Sequence, residues 1–153
     1  GFMVGLPNQT NEDLVNDFLF VKELEPAMCG IGPFIPHKDT PLRDYAHGSV
    51  EKTITCLAIV RLLLPKVLLP ATTALSSIDK TGRDQGIKAG GNVIMPNLSP
   101  MDVRKNYSLY DNKAYILDED AEYRKMIEEK IKSLGFEIET TRGDNPDFRK
   151  EEC

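Results

Sequence analysis

The sequence has few of the residues that build metal centres or disulfide frameworks. Its 153 residues include three cysteines, two histidines and no tryptophan. Cys29, Cys56 and Cys153 are widely spaced, so the chain has no C-x2-C or C-x3-C-x2-C motif for zinc or an iron–sulfur cluster. Three such cysteines do not make a disulfide pattern either. The cysteine content therefore excludes a self-contained cluster motif and favours a reducing, cytoplasmic setting.

Positive charge and long apolar runs are also scarce. The net charge is −5 and the isoelectric point is near 5.1, which leaves no basic face for a nucleic acid. The longest apolar run, residues 57–70, is interrupted by Arg61, Pro65 and Lys66 and is too short to span a bilayer. The first residues show no cationic segment followed by an apolar stretch, so we expect no signal peptide. We therefore predict neither a nucleic-acid partner nor a membrane partner.

Short apolar runs recur along the chain at the spacing of buried strands. Bounded by Gly, Pro or Asn, they span residues 2–6, 28–31, 67–71 and 93–95. The first run begins directly after Gly1 with no polar lead, so we expect the chain to continue a longer polypeptide. Strands that alternate with helices predict an α/β fold with a parallel sheet. Four such units correspond to half of a (β/α)8 barrel, or to a small open sheet.

Between these runs, apolar residues recur at the spacing of helices. Thr10, with Asp13 three residues later, predicts the start of one helix, and Ser49 predicts another that Pro65 ends. We also predict a short helix over residues 80–89 and a longer one over residues 121–134. Residues 136–140 predict an edge strand, and the charged residues 143–153 predict a mobile tail.

The residues that follow each predicted strand are rich in glycine and proline. In parallel α/β folds, ligands bind beyond the carboxyl ends of the strands. Glycine lets a ligand approach the backbone closely, so these loops predict a ligand-lined wall, although the same residues also make ordinary turns. The loops span residues 5–10, 30–37, 70–73 and 95–97.

Several side chains in or near these loops have two interpretations. The hydroxyls of Thr72 and Thr73 could bind a carboxylate or an amine, or could only cap a helix. Met28 and Met95 lie on predicted strands, where a thioether more often fills a core. His37 could act as a base or a metal ligand, or be merely solvated.

Two motifs resemble a known superfamily. The run GFMVGLP at residues 1–7, followed by Gln9 and Thr10, resembles the fifth strand of radical-SAM barrels of the biotin synthase, HydE and methylornithine synthase group. The run GIGPFIPH at residues 30–37 resembles the sixth-strand loop of the same barrels. The combination of LLLP at 62–65, PATTAL at 70–75 and NVIMPNL at 92–98 is most similar to the HydE family of [FeFe]-hydrogenase maturases.

This resemblance implies a fold and a set of site residues. Residues 1–118 would form the last four units of the C-terminal half of a radical-SAM (β/α)8 TIM barrel, and residues 119–153 a C-terminal helix and charged tail. Gly5, Gly32, Met28 and Ile35 would bind the cofactor. The substrate-binding residues would be Thr72, Thr73, Met95 and Tyr107. Asn8 departs from the family, because many radical-SAM proteins have an acidic residue there.

The resemblance also implies a function and cofactors. The whole enzyme would use S-adenosyl-L-methionine and a [4Fe-4S] cluster, whose ligands lie outside this chain, to generate a 5′-deoxyadenosyl radical. That radical would act on a sulfur-containing or iron-bound cysteine substrate in assembly of the hydrogenase H-cluster, with other hydrogenase maturases as possible partners. This chain alone would be inactive. The alternatives are a biotin synthase or methylornithine synthase-like enzyme, and a non-catalytic α/β binding domain.

Overall fold

Helices and short parallel strand segments alternate along the chain, which confirms the predicted α/β class. The computed structural model describes residues 1–95 and 121–146. Its elements are β1 (Phe2–Val4), α1 (Asn11–Leu24), β2 (Ile31–Pro33), α2 (Val50–Leu63), α3 (Thr73–Ile78), α4 (Gly82–Lys88) and α5 (Ala121–Ser133).

The strand segments pair in parallel and in chain order. β1 and β2 align Phe2 with Ile31 and Val4 with Pro33. Isolated parallel bridges join Met28 to Leu68, Ile31 to Ala71 and Pro70 to Val93. Among the described residues, the third and fourth predicted strands are therefore present as bridged segments, and β2 begins three residues later than its predicted run. The four aligned segments are called the strand row below.

The two long helices begin where the sequence predicts. At the start of α1, the Asp13 N–H donates to Thr10 Oγ1 over 3.1 Å, and the Thr10 N–H donates to Asp13 Oδ2 over 2.7 Å. This reciprocal pair satisfies two backbone donors that a helix start leaves free. Ser49 caps α2 through its hydroxyl, which accepts from the Lys52 N–H over 3.1 Å. Both predicted caps are confirmed.

The main core lies between one face of the strand row and the helices α1 and α2. This covered face of the row contributes Val4, Ile31 and Leu69, each with no exposed surface, and α2 contributes Leu57 and Val60. A smaller cluster joins Ala71, Ile87 of α4 and Ile131 of α5. The row is thus anchored on one face by helices at both ends of the chain.

Two local predictions need correction, and one helix was not predicted. Residues 136–140 form no strand and pair with no other segment in the described part, since Phe136 and Ile138 are 45% and 40% exposed and have no core to bury against. Within residues 143–146 the tail is anchored, because Asn145 is buried and donates to the carbonyls of Ala27 and Lys66. The helix that was not predicted is α3, which Ser76 and Ser77 stabilise by donating to the Thr73 carbonyl.

The other helix predictions hold. α4 occupies residues 82–88 of the predicted 80–89, and α5 lies within the predicted 121–134, ending before Gly135 with φ +88°. No helix in residues 1–95 or 121–146 is both long and apolar enough to cross a membrane. The predicted boundary between residues 118 and 119 lies outside the described residues and stays a prediction.

Candidate functional site at the carboxyl ends of the strand row

Two predicted site residues, Gly32 and Thr72, lie side by side near the carboxyl end of the strand row, next to Met3, which was not predicted. The pairing of Met3 with Gly32 and of Ile31 with Ala71 places Met3, Gly32 and Thr72 side by side on adjacent segments. Paired residues of parallel strands point to the same face, and here it is the face opposite the helices. We call this group, together with Gly5 and Thr73 beside it, the strand-end site.

Thr72 brings a free hydroxyl to this site. It occupies the N-cap position of α3, but its side chain makes no capping hydrogen bond. Its Oγ1 is buried and has no hydrogen-bond partner in the part of the chain that the structure describes. Buried hydroxyls are normally paired, because an unmet polar group costs about 1–3 kcal/mol. The capping interpretation therefore does not account for Thr72, whereas a bound ligand would.

Gly32 makes room for that hydroxyl. A Cβ atom added to Gly32 would lie 3.0 Å from Thr72 Oγ1 and 3.6 Å from its methyl carbon. Any larger residue would press on the threonine and cover the space in front of it. The glycine therefore leaves the space that the buried Thr72 hydroxyl occupies.

Gly5 has a structural explanation of its own. Its φ is +86°, and an added Cβ would lie 2.5 Å from Gly48 Cα, so the loops after β1 and before α2 meet here. Its N–H donates to Gln9 Oε1 over 2.6 Å, while Gln9 Nε2 donates to the Met3 carbonyl over 2.9 Å. The Gly5 N–H is therefore engaged within the protein, and the predicted cofactor contact stays a prediction.

Ile35 follows β2 in a loop that is tied to β1. The Phe34 N–H donates to the Val4 carbonyl, and the Phe34 carbonyl accepts from the Gly48 N–H, both over 2.8 Å. Ile35 is half-buried next to this junction, close in sequence to Gly32. His37 Nδ1 accepts from the Asp39 N–H over 3.2 Å, which gives this histidine a role in its own turn.

The predicted methionines are exposed rather than buried in a core. Met95 is 62% exposed, and continuing the Pro70–Val93 pairing by two residues places it in register with Thr72. Met28 is 41% exposed and lies on the same face as Gly32, but four residues earlier, or about 13 Å along the strand. Met95 lies two residues after the bridged Val93, toward the end of the row that holds Thr72, and Met28 lies toward the other end. Tyr107 lies outside the described residues.

Arg83, which was not among the predicted site residues, contacts the site through Thr73. It lies in the first turn of α4, and its Nη2 donates to Thr73 Oγ1 over a long 3.5 Å. A cation in the first turn opposes the helix dipole, and this mismatch was a signal that the sequence already contained.

Neither described cysteine belongs to this site. Cys29 and Cys56 are free thiols in the main core, and burial raises the pKa of both. Within residues 1–95 and 121–146, no three His, Cys, Asp or Glu side chains come together in a way that could hold a metal ion. The site is therefore a neutral, hydroxyl-bearing surface with one arginine at its margin.

Comparison with known proteins identifies the relatives of this chain. No protein-family model matches it. It is 45% identical over 135 residues to "[FeFe] hydrogenase maturase subunit HydE" of Thermotoga maritima, covering 88% of this chain and 39% of that protein. It is 27% identical over 137 residues to "3-methylornithine synthase" of Methanosarcina acetivorans, covering 90% of this chain and 37% of that protein.

A second "3-methylornithine synthase", from Methanosarcina barkeri, is 27% identical over 120 residues and is covered over 33% of its length. The chain thus spans between 33% and 39% of the length of these curated relatives. HydE and methylornithine synthase are two of the enzymes in the radical-SAM group that the motifs indicated. The predicted resemblance is confirmed, and the chain is a homologue of part of the HydE hydrogenase maturase.

Proposed function

We propose that this chain is the C-terminal half of a radical-SAM (β/α)8 barrel enzyme of the HydE type, and that the strand-end site binds ligand inside that barrel. The observation that carries the proposal is the buried, unpaired Thr72 hydroxyl facing Gly32. It lies level with Gly32, one residue before the end of β2 and so near the carboxyl ends of the parallel strands, which is the side on which (β/α)8 enzymes bind their ligands.

The exposure of the row supports the barrel part of the proposal. Parallel strands normally bury both faces, since their crossovers place cover on the sheet. Here one face is buried by helices, while Met3, Met28 and Met95 are 51%, 41% and 62% exposed on the other. A closed barrel would enclose that second face, which is the expected position of a cavity wall.

The strand-end site fits S-adenosyl-L-methionine or a small polar substrate. Its hydroxyl, glycine backbone and exposed thioethers offer hydrogen-bond partners beside soft apolar surface, as a ligand with polar and apolar parts requires. Thr72 and Gly32 would hold such a ligand, with Ile35 and Met95 at its sides. When bound, S-adenosyl-L-methionine would supply a 5′-deoxyadenosyl radical, with methionine leaving, after one electron from the [4Fe-4S] cluster held outside this chain.

The described residues do not fit the [4Fe-4S] cluster. Cys29 and Cys56 are buried in the core, and neither belongs to a group of three ligands in the described part. We place the cluster ligands outside this chain. The residues of this chain would then bind and orient the ligand and shield it from water. This half alone would not carry out the reaction.

The relatives support a proposal for the role and the substrate. The 45% identity to HydE, against 27% to 3-methylornithine synthase, favours a hydrogenase-maturation role with a sulfur-containing or iron-bound cysteine substrate. The partners would be that small molecule or iron complex and other hydrogenase maturases, in the cytoplasm. A methylornithine synthase-like reaction is the second candidate.

Binding of S-adenosyl-L-methionine to this chain tests the ligand site. We expect calorimetry to detect binding, and hydrogen exchange to slow in residues 30–36. Thr72→Val should weaken binding about fivefold to tenfold, as the loss of one hydrogen bond predicts. Thr55→Val is the matched control, since Thr55 is exposed on α2 and its hydroxyl donates to the Glu51 carbonyl. Equal effects of the two substitutions, or no binding, would favour a non-catalytic domain.

The coding region upstream of Gly1 tests the enzyme assignment. We expect it to encode C-x3-C-x2-C after a first predicted strand, the spacing that holds a [4Fe-4S] cluster. An upstream coding region without this motif would contradict the radical-SAM proposal, whatever the binding experiment shows.

A further inference from the structure

Arg83 is an incompletely paired cation beside the strand-end site. Its one hydrogen bond in the described part of the chain runs from Nη2 to Thr73 Oγ1 over 3.5 Å, which is long for this kind of contact. Its Nε is buried and has no hydrogen-bond partner among residues 1–95 and 121–146. Leaving a buried donor unmet costs stability, so packing alone does not explain the arginine.

Arg61 shows how the same fold accommodates a structural arginine. Its Nε donates to the Gly90 carbonyl over 2.9 Å, and its Nη1 donates to the Pro65 carbonyl over 2.7 Å and to the Leu64 carbonyl over 3.4 Å. Although its Nη2 is also unmet, three backbone acceptors hold the Arg61 group at the end of α2. No backbone acceptor in the described part holds Arg83 in this way.

The contact with Arg83 limits what the Thr73 hydroxyl can do. A guanidinium only donates hydrogen bonds, so Thr73 Oγ1 must accept, and its own hydrogen is left for another acceptor. Ser76 and Ser77 donate to the Thr73 carbonyl, which fixes the first turn of α3. The hydroxyl of the preceding residue, Thr72, is also free. The Thr73 hydroxyl thus has a hydrogen to donate beside a cation, and the unpaired Thr72 hydroxyl precedes it by one residue.

We propose that Arg83 is a positioning residue of the strand-end site, which orients the Thr73 hydroxyl to donate to a carboxylate of the bound ligand. A carboxylate fits because it only accepts, and because the nearby guanidinium favours an anion over an ammonium group. This inference rests on the proposed function, in which the strand-end site binds a ligand.

The test compares ligands that differ only in their carboxylate. One pair is S-adenosyl-L-methionine and its decarboxylated form, and the other is L-cysteine and cysteamine, so the two pairs distinguish a cofactor carboxylate from a substrate carboxylate. Calorimetry would measure the affinity of the unaltered chain and of the variants Arg83→Met, Arg83→Lys and Thr73→Val. It would also measure the double variant that combines Arg83→Met with Thr73→Val. Urea unfolding of each variant would give its midpoint.

We expect Arg83→Met to weaken binding of one carboxylate-bearing ligand about tenfold and to leave its decarboxylated counterpart unchanged. Arg83→Lys should recover part of the loss because it keeps a cationic donor. The double variant should bind no worse than the weaker single variant. The unfolding midpoint of Arg83→Met should not fall, since the substitution removes an unmet buried donor.

Several results would overturn the role of Arg83. A lowered midpoint with unchanged affinity would make it a structural residue, and equal weakening of both members of a pair would mean a general disturbance. If the losses of binding free energy in the two single variants add up in the double variant, Arg83 does not act through Thr73. If Thr72→Val weakens binding and Arg83→Met does not, the proposed function stands and this inference fails. If the unaltered chain binds none of the four ligands, both fail together.

Discussion

The two faces of the strand row are built from different kinds of residue. The covered face has branched apolar side chains, with Val4, Ile31 and Leu69 fully buried under the helices. The open face includes Met3, Met28, Gly30, Gly32 and Thr72, besides Leu68 and Pro70, and the three methionines on it, with Met95, are 51%, 41% and 62% exposed. Branched side chains pack to one arrangement, whereas methionine and glycine leave an adaptable surface.

This difference separates stability from function along one backbone. Because side chains alternate along a strand, a single residue step moves from a position that the core needs to one that it does not. Burial on the covered face contributes the hydrophobic stabilisation, and the open face is the one that we propose binds a ligand. The comparison therefore predicts large stability effects on one face and small ones on the other.

Truncating one side chain on each face should show the difference between the two faces most clearly in the free energy of unfolding. Leu69→Ala should lower the free energy of unfolding by about 2–5 kcal/mol, because it leaves a cavity in the main core. Met28→Ala should cost less than about 1 kcal/mol, since the side chain is 41% exposed. Urea unfolding of both variants measures the two changes. Similar losses would mean that the open face is part of the core.

Replacing a glycine by alanine in the loop before α2 should have the next largest effect on the free energy of unfolding, and the same change on the open face should have little. An added Cβ at Gly48 would lie 2.1 Å from the Val4 carbonyl oxygen, so Gly48→Ala should cost about 1–3 kcal/mol as the loop moves away. Gly30, on the open face, has nothing within 4 Å of an added Cβ. Gly30→Ala should stay within about 1 kcal/mol of the unaltered chain, and a large loss there would contradict an open face.

The parts of the fold that were predictable depend on residues close in sequence. Thr10 and Ser49 begin their helices as expected, because a cap involves partners only three residues away. The α/β class followed from the alternation of apolar runs and helical spacing. α3 was missed because Ser76 and Ser77 have modest helix propensity, and its stability comes from their hydrogen bonds to the Thr73 carbonyl. Residues 136–140 were wrongly predicted as a strand, since a strand needs a partner that the local pattern does not show.

The candidate site was predictable in position but not in detail. Thr72 could be identified because it follows an apolar run, yet its unpaired hydroxyl depends on Gly32, forty positions away across the row. Met28 and Met95 looked alike in sequence, and only the register separates them along the face. Arg83 reaches Thr73 through the packing of α4 against α3, which no spacing rule contains.

The anchored C-terminal segment adds a second comparison, between the amino ends of the strand row, where Asn145 binds, and the carboxyl ends, where the strand-end site lies. Asn145 Nδ2 donates to the Ala27 carbonyl over 2.8 Å and to the Lys66 carbonyl over 3.2 Å, at the amino ends of two segments. Asn145→Ala should cost about 1–2 kcal/mol in urea unfolding, because it leaves two backbone acceptors without this donor. Binding of S-adenosyl-L-methionine should be unchanged, since the strand-end site lies at the other end. A loss of binding that matches the Thr72→Val loss would contradict that separation.

The smallest effect should come from the exposed cap of α1, which lies outside both faces. Hydrogen bonds from the Thr10 N–H and then from its hydroxyl lower the pKa of Asp13. A folded-state pKa below the unfolded one contributes stability at neutral pH that is lost as the pH falls through the folded value. Asp13→Asn should therefore make the unfolding free energy slightly less dependent on pH between about pH 5 and pH 2.

Glu12→Gln is the matched control for this change. It removes the same charge from the same turn of α1, and so the same interaction with the helix dipole, but leaves the capping box intact. Urea unfolding across the acidic range would compare the two variants. If both flatten the pH dependence equally, the effect belongs to the charge of the helix start, and the hydrogen bonds to Thr10 add nothing measurable. If only Asp13→Asn does so, the cap itself is the acid-sensitive element of this helix, and it acts independently of both faces of the row.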